Sequence, residues 1–270
     1  MKGYGIVLEA VLILVLVGIL EYGAFVLISK YFSNDSSFEI ALNLNALTSI
    51  LGSLIAVFTG LWLWKFKIEW VSKLPSKKII TTALLIVILE FLVSDFFNLR
   101  MFFERIQEGK ILFFDWSISQ FNEFDSYFYF ANVILIGPIL EELFFRGILF
   151  KKFKRVLSVS TAIVLSSALF SLVHLNFQGF AYYFIGGCIL GYMYHRTNSL
   201  ILVMGYHAIF NLLAIVVKRR EFYTDDNQFF AILIFFFVCF AGLYLALKRF
   251  HLLTISPEED SSPLDPPEYE

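Results

Sequence analysis

Long apolar runs constrain this chain more than any other feature of its sequence. Several exceed about 18 residues, the length with which an α-helix can cross the hydrocarbon core of a bilayer. We count eight candidate spans, at about residues 5–29, 40–64, 79–99, 127–150, 157–175, 178–194, 198–217 and 229–249. With 59% hydrophobic and 16% charged residues, the composition also departs from that of a soluble globular domain. The sequence therefore predicts an all-α fold, a polytopic transmembrane helix bundle of about eight spans.

Composition divides the chain into four segments. Residues 1–126 hold the first three spans and a connection, 100–126, in which apolar and charged residues alternate, as in an amphipathic segment on the outer surface. Residues 127–217 hold the next four spans, and 218–250 the last one. The remainder, 251–270, is acidic, and its final fifteen residues contain six acids and four of the six prolines. Such a composition cannot bury a core, so we expect a disordered tail.

Basic residues in the connections indicate how the bundle is oriented. Thirteen lysines and arginines fall on the side of both termini, and seven fall on the opposite side. Because cytoplasmic connections carry the excess of Lys and Arg, this asymmetry predicts a multi-pass protein of the cell membrane with both termini in the cytoplasm.

One apolar run contains two adjacent carboxylates and an arginine, each of which costs about 2.5–3.5 kcal/mol at the centre of a membrane helix. Glu142 and Arg146 lie four residues apart, so they share a helix face and can form an ion pair. Glu141 points about 100° away from Glu142 and has no partner on its own helix, which suits a general base. Pro138 lacks an N–H and, in an α-helix, would free the carbonyl of Ile134 and favour a kink.

Other polar residues within the spans are interpreted as structural. Four further acids are expected to form hydrogen bonds between helices or to lie near an interface: Glu9, Glu21, Glu90 and Asp95. Cys188 and Cys239 both lie in apolar runs, without a Cys-x-x-Cys motif, and are interpreted as small core residues rather than a disulfide.

Two histidine motifs occur on separate later spans. Phe170 and His174 close the fifth span, while His207 and Asn211 lie four residues apart on one face of the seventh. Amide hydrolysis needs an activated water and donors aimed at the developing oxyanion. A glutamate with a histidine can supply the first, and a His–Asn pair the second. Neither Gly-x-Ser-x-Gly nor His-Glu-x-x-His occurs in the sequence.

The three motifs in this order, Glu-Glu-x-x-x-Arg, Phe-x-x-x-His and His-x-x-x-Asn, resemble those of the CPBP family. That family includes the type II CAAX prenyl endopeptidases and the bacterial Abi, or bacteriocin self-immunity, proteins. The resemblance implies an intramembrane endopeptidase, CAAX-protease-like, with its catalytic cavity between helices and residues 127–217 as the catalytic core. It also implies that Glu142 and Arg146 hold the site together.

The resemblance assigns the remaining roles as well. Glu141 and His174 would activate water, and His207 and Asn211 would stabilise the oxyanion. An older interpretation of the family makes such residues metal ligands, hence a metalloprotease, with Glu141, His174 and His207 as the candidates for zinc. Two His and one Glu are a known catalytic zinc set, but Asn211 is a poor ligand and no cysteine is placed to help. We therefore favour a mechanism that requires no cofactor and keep zinc as the alternative.

The expected partners are the lipid bilayer and a membrane-associated or lipidated protein or peptide substrate, with no nucleic acid. Two other functions stay open. One is a bacteriocin self-immunity protein of the same fold, either non-catalytic or peptide-processing. The other is a proton-coupled transporter, which could also use buried Glu, Arg and His but would require paired broken helices in two halves, a pattern not seen in this sequence.

Overall fold

The computed structural model describes residues 2–32, 38–65, 75–94, 110–118, 127–176, 179–223 and 226–255. Within these ranges the chain forms eight helices and one pair of strands. The helices are α1 (Lys2–Tyr31), α2 (Phe38–Trp64), α3 (Lys77–Val93), α4 (residues 127–154), α5 (Val159–Val173), α6 (Phe180–Thr197), α7 (Leu200–Val216) and α8 (Asp226–Thr254). The strands are β1 (Lys110–Ile118) and β2 (Val217–Tyr223). The sequence predicted about eight membrane spans. The number of helices agrees with that prediction for this part of the chain, and three of them are candidate spans by length and composition.

The strand pair departs from the all-α prediction. β1 and β2 run antiparallel, with Lys110 opposite Tyr223 and Ile118 opposite Val217. β1 lies inside the connection that was expected to be an amphipathic surface segment. Its aromatic and branched residues favour extended structure, and its partner lies about a hundred residues away, so local pattern alone did not reveal the pairing. The rest of that connection, Asp95 and the acidic tail from residue 256 lie outside the described residues.

Three of the described helices are long and apolar enough to cross a membrane by length and composition: Gly5–Tyr31, Ile40–Trp64 and Leu233–Thr254. Val159–Val173 and Leu200–Val216 are shorter apolar helices. Large aliphatic and aromatic side chains on α1 and α8 point outward, including Leu8, Ile19 and Phe237. Such faces suit contact with lipid. The chain is therefore a multi-pass membrane protein.

Helix α4 is continuous but not regularly α-helical. Two π-helical stretches, Asn132–Ile136 and Leu143–Phe150, flank an α-helical segment, Gly137–Glu142. Gly137 N–H accordingly bonds to the carbonyl five residues back. Pro138 has no N–H to continue that pattern to Val133, and the Asn211 side chain donates to the Val133 carbonyl instead, at 2.8 Å. The freeing of the Ile134 carbonyl, which assumed α-helical spacing, stays a prediction.

Helices α5 and α6 approach closely through small residues. A Cβ on Gly187 would lie 3.0 Å from Ser167 Cβ and 3.2 Å from Ser167 Cα, so a larger residue would push the two backbones apart. The hydroxyl of Ser171 donates to the Phe180 carbonyl at 2.6 Å. Small residues at membrane helix interfaces allow this approach. It brings His174, at the end of α5, against the first turn of α6.

Candidate active site

Three helices bring the predicted catalytic residues to one cavity. Glu141 comes from α4, His174 from the end of α5, and His207 and Asn211 from α7. All four line a cavity of about 280 Å³. Motifs separated by more than thirty residues in the sequence thus converge at one place.

Glu142 accepts hydrogen bonds from two side chains, Arg146 and His207. Arg146 Nη1 donates to Glu142 Oε1 at 2.7 Å, and His207 Nδ1 lies 2.9 Å from the same oxygen. Because an ionised carboxylate only accepts, His207 Nδ1 carries the proton in this contact. The side chains of Glu142 and Arg146 are 0% and 1% exposed. The predicted Glu142–Arg146 pair is confirmed, whereas the link to His207 was not foreseen from the sequence.

Arg146 also ties α4 to both α5 and α6. Its Nη2 donates to the Gly187 carbonyl at 3.0 Å. Its guanidinium lies over the Phe170 ring, 4.7 Å from the centroid, in cation–π geometry. A buried charge with these contacts fixes the relative positions of three helices, because losing any one partner leaves the guanidinium undercompensated.

Glu141 has a different environment from its neighbour. Its side chain is 29% exposed, and its Oε2 lies 3.8 Å from His207 Nε2, beyond hydrogen-bonding distance. Helix geometry thus separates a buried, paired carboxylate from one that faces open space, as its 100° rotation from Glu142 predicts.

His174 is held in one orientation by two contacts. Its Nδ1 lies 2.8 Å from the Phe170 carbonyl, and because a carbonyl only accepts, Nδ1 carries the proton. Its ring stacks on Tyr183, with centroids 4.0 Å apart and planes at 22°. In the neutral ring this tautomer leaves the Nε2 lone pair available. No described hydrogen bond joins His174 to Glu141 directly, although both line the cavity.

The side-chain amide of Asn211 is partly committed to structure. One of its two N–H groups is used in the bond to the Val133 carbonyl. Any catalytic donation by Asn211 would therefore use the second N–H. The bond to Val133 also sets the orientation of that second donor, because the amide is planar.

The donor set does not form a metal site in this arrangement. Among the described residues, no three His, Cys, Asp or Glu side chains converge as a bound ion requires. The Nδ1 atoms of His174 and His207 bond to the Phe170 carbonyl and to Glu142, which leaves Nε2 of both rings free. A histidine with such an Nδ1 contact can still bind a metal through Nε2. Zinc, with Glu141, His174 and His207 as candidate ligands, therefore stays the alternative prediction.

Further polar side chains line the cavity that the sequence did not assign to it. Glu90, 4% exposed, accepts a hydrogen bond from the Tyr206 hydroxyl, and Asn132 Oδ1 is buried without a hydrogen-bond partner. The predicted interhelical bonding of Glu90 is confirmed, but its place in the cavity was missed. Its position in an apolar run was a usable signal, whereas nothing in the sequence set Asn132 or Tyr206 apart.

Two of the structural interpretations are also confirmed. Glu9 accepts a hydrogen bond from Trp64 Nε1 at 2.6 Å, across α1 and α2. Cys188 and Cys239 are free thiols, and Cys239 is buried.

A second, larger cavity adjoins the first. It has a volume of about 630 Å³ and lies between α1, α2, α4 and α5. Aliphatic and aromatic side chains form most of its wall, together with Glu21. It shares Ser49, Glu141 and His174 with the smaller cavity, so the two spaces meet at these residues.

Comparison with known proteins finds two similarities. Residues 123–213 match the sequence model of the family described as "Type II CAAX prenyl endopeptidase Rce1-like". Over 84 residues the chain is 27% identical to "Putative membrane peptidase YdiL" of Bacillus subtilis (strain 168), covering 31% of this chain and 34% of that protein. The match thus spans about a third of its relative. No solved structure matches the chain significantly.

The long apolar helices define a multi-pass membrane protein. Within it, residues 123–213 carry a domain of the Rce1-like type II CAAX prenyl endopeptidase family, also called CPBP. The resemblance found from the three motifs is therefore confirmed.

Proposed function

We propose that this chain is an intramembrane endopeptidase that cleaves a peptide bond in a membrane-associated or lipidated protein or peptide. The observation that carries the proposal is the convergence of Glu141, His174, His207 and Asn211 on one cavity. A base, a fixed imidazole and two oriented donors are the parts that metal-free amide hydrolysis needs.

In the proposed reaction, Glu141 takes a proton from a water held between its carboxylate and His174 Nε2. The water oxygen forms a bond to the scissile carbonyl carbon, and the carbonyl oxygen becomes an oxyanion. As the C–N bond breaks, the proton passes from Glu141 to the leaving amine. The bond from His174 Nδ1 to the Phe170 carbonyl supports this role, because it leaves Nε2 as the acceptor.

His207 and Asn211 stabilise the oxyanion in this proposal. Because His207 Nδ1 already donates to Glu142, donation from Nε2 requires a second proton on the ring. The adjacent Glu142 carboxylate compensates the resulting imidazolium charge. The 3.8 Å separation between His207 Nε2 and Glu141 Oε2 puts the donor close to the base without a direct bond. Glu142 and Arg146 act as positioning residues that hold His207 in place.

The larger cavity supports an apolar or lipid-bearing substrate. Its wall of aliphatic and aromatic side chains borders Glu141 and His174 directly. An acyl or prenyl chain, or apolar side chains, would gain van der Waals contacts with this wall. The scissile bond of a substrate placed there would lie beside the base.

We also propose that both termini are cytoplasmic. Lys154 and Lys30, both exposed, lie on opposite sides in this orientation. A cysteine replacing Lys154 should react with a membrane-impermeant maleimide only after the cytoplasmic face is opened, and one replacing Lys30 should react in intact cells. The reverse labelling pattern would overturn this orientation.

The peptidase proposal is tested with the purified full chain in liposomes. Farnesylated and unmodified apolar peptides are incubated with it, and products are identified by mass spectrometry. We expect internal cleavage of at least one class, lost in His174→Ala and retained in Glu9→Gln, which alters a glutamate outside both cavities. Cleavage that persists equally in His174→Ala would point to a contaminant and refute the proposal.

Metal dependence is tested on the same preparation. We expect activity to persist after exhaustive chelation, with metal well below one equivalent by elemental analysis. Stoichiometric zinc, with activity lost on chelation and restored by zinc, would refute the metal-free mechanism but leave the peptidase assignment in place.

A further inference from the structure

The smaller cavity contains hydrogen-bond acceptors that the proposed reaction does not use. Glu90 comes from α3 and Asn132 from α4, and both are more than nine-tenths buried, at 4% and 6% exposure. Each lines the cavity together with Glu141. Neither has a part in activating water or in holding the oxyanion.

Asn132 presents an acceptor without a partner. Its Oδ1 is buried and accepts no hydrogen bond within the described structure. A Cβ built on Gly137 would lie 3.7 Å from this oxygen and 3.7 Å from Glu141 Oε1, so both oxygens border the same small space. An unsatisfied buried acceptor costs about 1–3 kcal/mol, and a donor on a bound ligand would remove that cost.

Glu90 adds a carboxyl group to the same wall. Tyr206 donates to its Oε2. Its Oε1 lies 2.9 Å from the position that a Cβ would take on Gly186, so a larger residue at Gly186 would displace the carboxyl group. The absence of a side chain at Gly186 thus keeps this oxygen at the cavity wall.

The cavity wall carries more acidic than basic groups. Glu90 and Glu141 both line it, while neither lysine nor arginine is among the described residues that do so. His207, which also lines it, is the cationic group of this wall in the proposed reaction. Tyr182 and Phe210 form an aromatic part of the wall, with ring centroids 5.6 Å apart. Aromatic rings beside carboxyl groups suit a cation, which they attract without competing for its hydrogen bonds.

We propose that the part of this cavity lined by Glu90, Asn132, Tyr182 and Phe210 is a specificity pocket for a cationic side chain, lysine or arginine, next to the scissile bond of the substrate. Glu90 and Asn132 Oδ1 accept its N–H groups, and the aromatic wall contacts its methylene stem. The inference rests on the proposed function, because it assumes that the scissile bond lies at Glu141. An anionic group would meet carboxyl groups and an unpaired acceptor here and is disfavoured.

The pocket is tested first by binding, without any need for cleavage. n-Butylammonium, n-butanol and butyrate are titrated into the full chain in detergent micelles, with dissociation constants from ligand-observed NMR. We expect butylammonium to bind at least about ten-fold more tightly than either analogue, and Glu90→Gln to remove that preference. Asn132→Leu should weaken butylammonium several-fold and Asn132→Asp should strengthen it, which keeps the test decisive if Glu90→Gln does not fold.

Glu9→Gln is the matched control, because Glu9 also accepts a hydrogen bond from an aromatic side chain but lies outside both cavities. It should leave all three dissociation constants unchanged. Equal binding of butylammonium and butanol to the wild-type chain would overturn the pocket, as would a preference that survives both Glu90→Gln and Asn132→Leu.

Cleavage then separates this inference from the proposed function. Peptides with lysine, norleucine or glutamate beside the scissile bond are compared by kcat/KM. We expect lysine to exceed norleucine by about ten-fold and glutamate by more, with the lysine advantage lost in Glu90→Gln. Cleavage without a lysine preference would refute the pocket and keep the peptidase. Selective butylammonium binding without cleavage of any peptide would keep the pocket and refute the peptidase.

Discussion

The two cavities that meet at Glu141 and His174 differ in size, wall chemistry and the helices that build them. The smaller cavity, about 280 Å³, is lined by Glu90, Asn132 and Asn211 in addition to the residues that both cavities share. The larger, about 630 Å³, is walled mainly by aliphatic and aromatic side chains of α1, α2, α4 and α5. The comparison indicates that the base lies at the boundary between a cavity with several polar side chains in its wall, called here the polar compartment, and one walled mainly by apolar side chains, called here the apolar compartment. A substrate with one polar and one apolar end would be oriented across that boundary.

The largest expected effect comes from Arg146, which lines neither cavity but forms the buried ion pair with Glu142, the neighbour of Glu141. Arg146→Met leaves Glu142 buried without its ion-pair partner, so we expect the free energy of unfolding to fall by about 3–5 kcal/mol in SDS-titrated unfolding. The double variant Glu142→Leu/Arg146→Met should recover much of that stability yet stay inactive, because His207 loses its carboxylate. Wild-type stability in the single variant would contradict this role.

The polar compartment is tested by Asn211→Ala. Loss of one oxyanion donor should lower kcat by about 10²–10³-fold with substrate binding largely kept. The same change removes the bond to the Val133 carbonyl, so unfolding measurements should show a loss of about 1 kcal/mol. A stability loss without any change in kcat would assign Asn211 to structure alone.

The apolar compartment is tested by Gly18→Leu. A Cβ at Gly18 would meet no atom within 4 Å, so the larger side chain fits, and it narrows the larger cavity that Gly18 lines. We expect KM for a farnesylated peptide to rise about ten-fold, with little change for a short unmodified peptide. An equal rise of KM for both peptides would contradict the proposal that the larger cavity binds the apolar part of the substrate.

The smallest effect is expected outside both cavities. Glu9→Gln weakens the hydrogen bond from Trp64, so the free energy of unfolding should fall by about 1 kcal/mol. The value of kcat/KM should not change. A large loss of activity would mean that the α1–α2 contact controls the site, which the comparison of the two cavities does not predict.

Local geometry explains which parts of the site could be predicted from the sequence. The Glu142–Arg146 pair followed from four-residue spacing, because both residues lie on one helix. The two π-helical stretches around Gly137–Glu142 were not predicted, since π-helical spacing leaves no clear mark in the sequence. The convergence of the three motifs needed the family resemblance, because helix packing decides it.

Non-local contacts account for most of what the sequence did not reveal. β1 pairs with a strand about a hundred residues further along, and neither strand predicts its partner. Glu90 was recognised as a buried acid, but its place in the cavity depends on Tyr206 from α7 and on the missing side chain at Gly186. Residue patterns identify such groups without showing which space they face.

The different roles of two adjacent glutamates are tested most directly by single-turnover cleavage in Glu141→Gln and Glu142→Gln, with unfolding measured on both. Glu141→Gln removes the base from the boundary but keeps its shape, so the rate should fall by at least about 10²-fold while stability stays at the wild-type value. Glu142→Gln should instead lose several kcal/mol of stability, because Arg146 is left without its partner carboxylate. A wild-type cleavage rate in Glu141→Gln would contradict the assignment of Glu141 as the base.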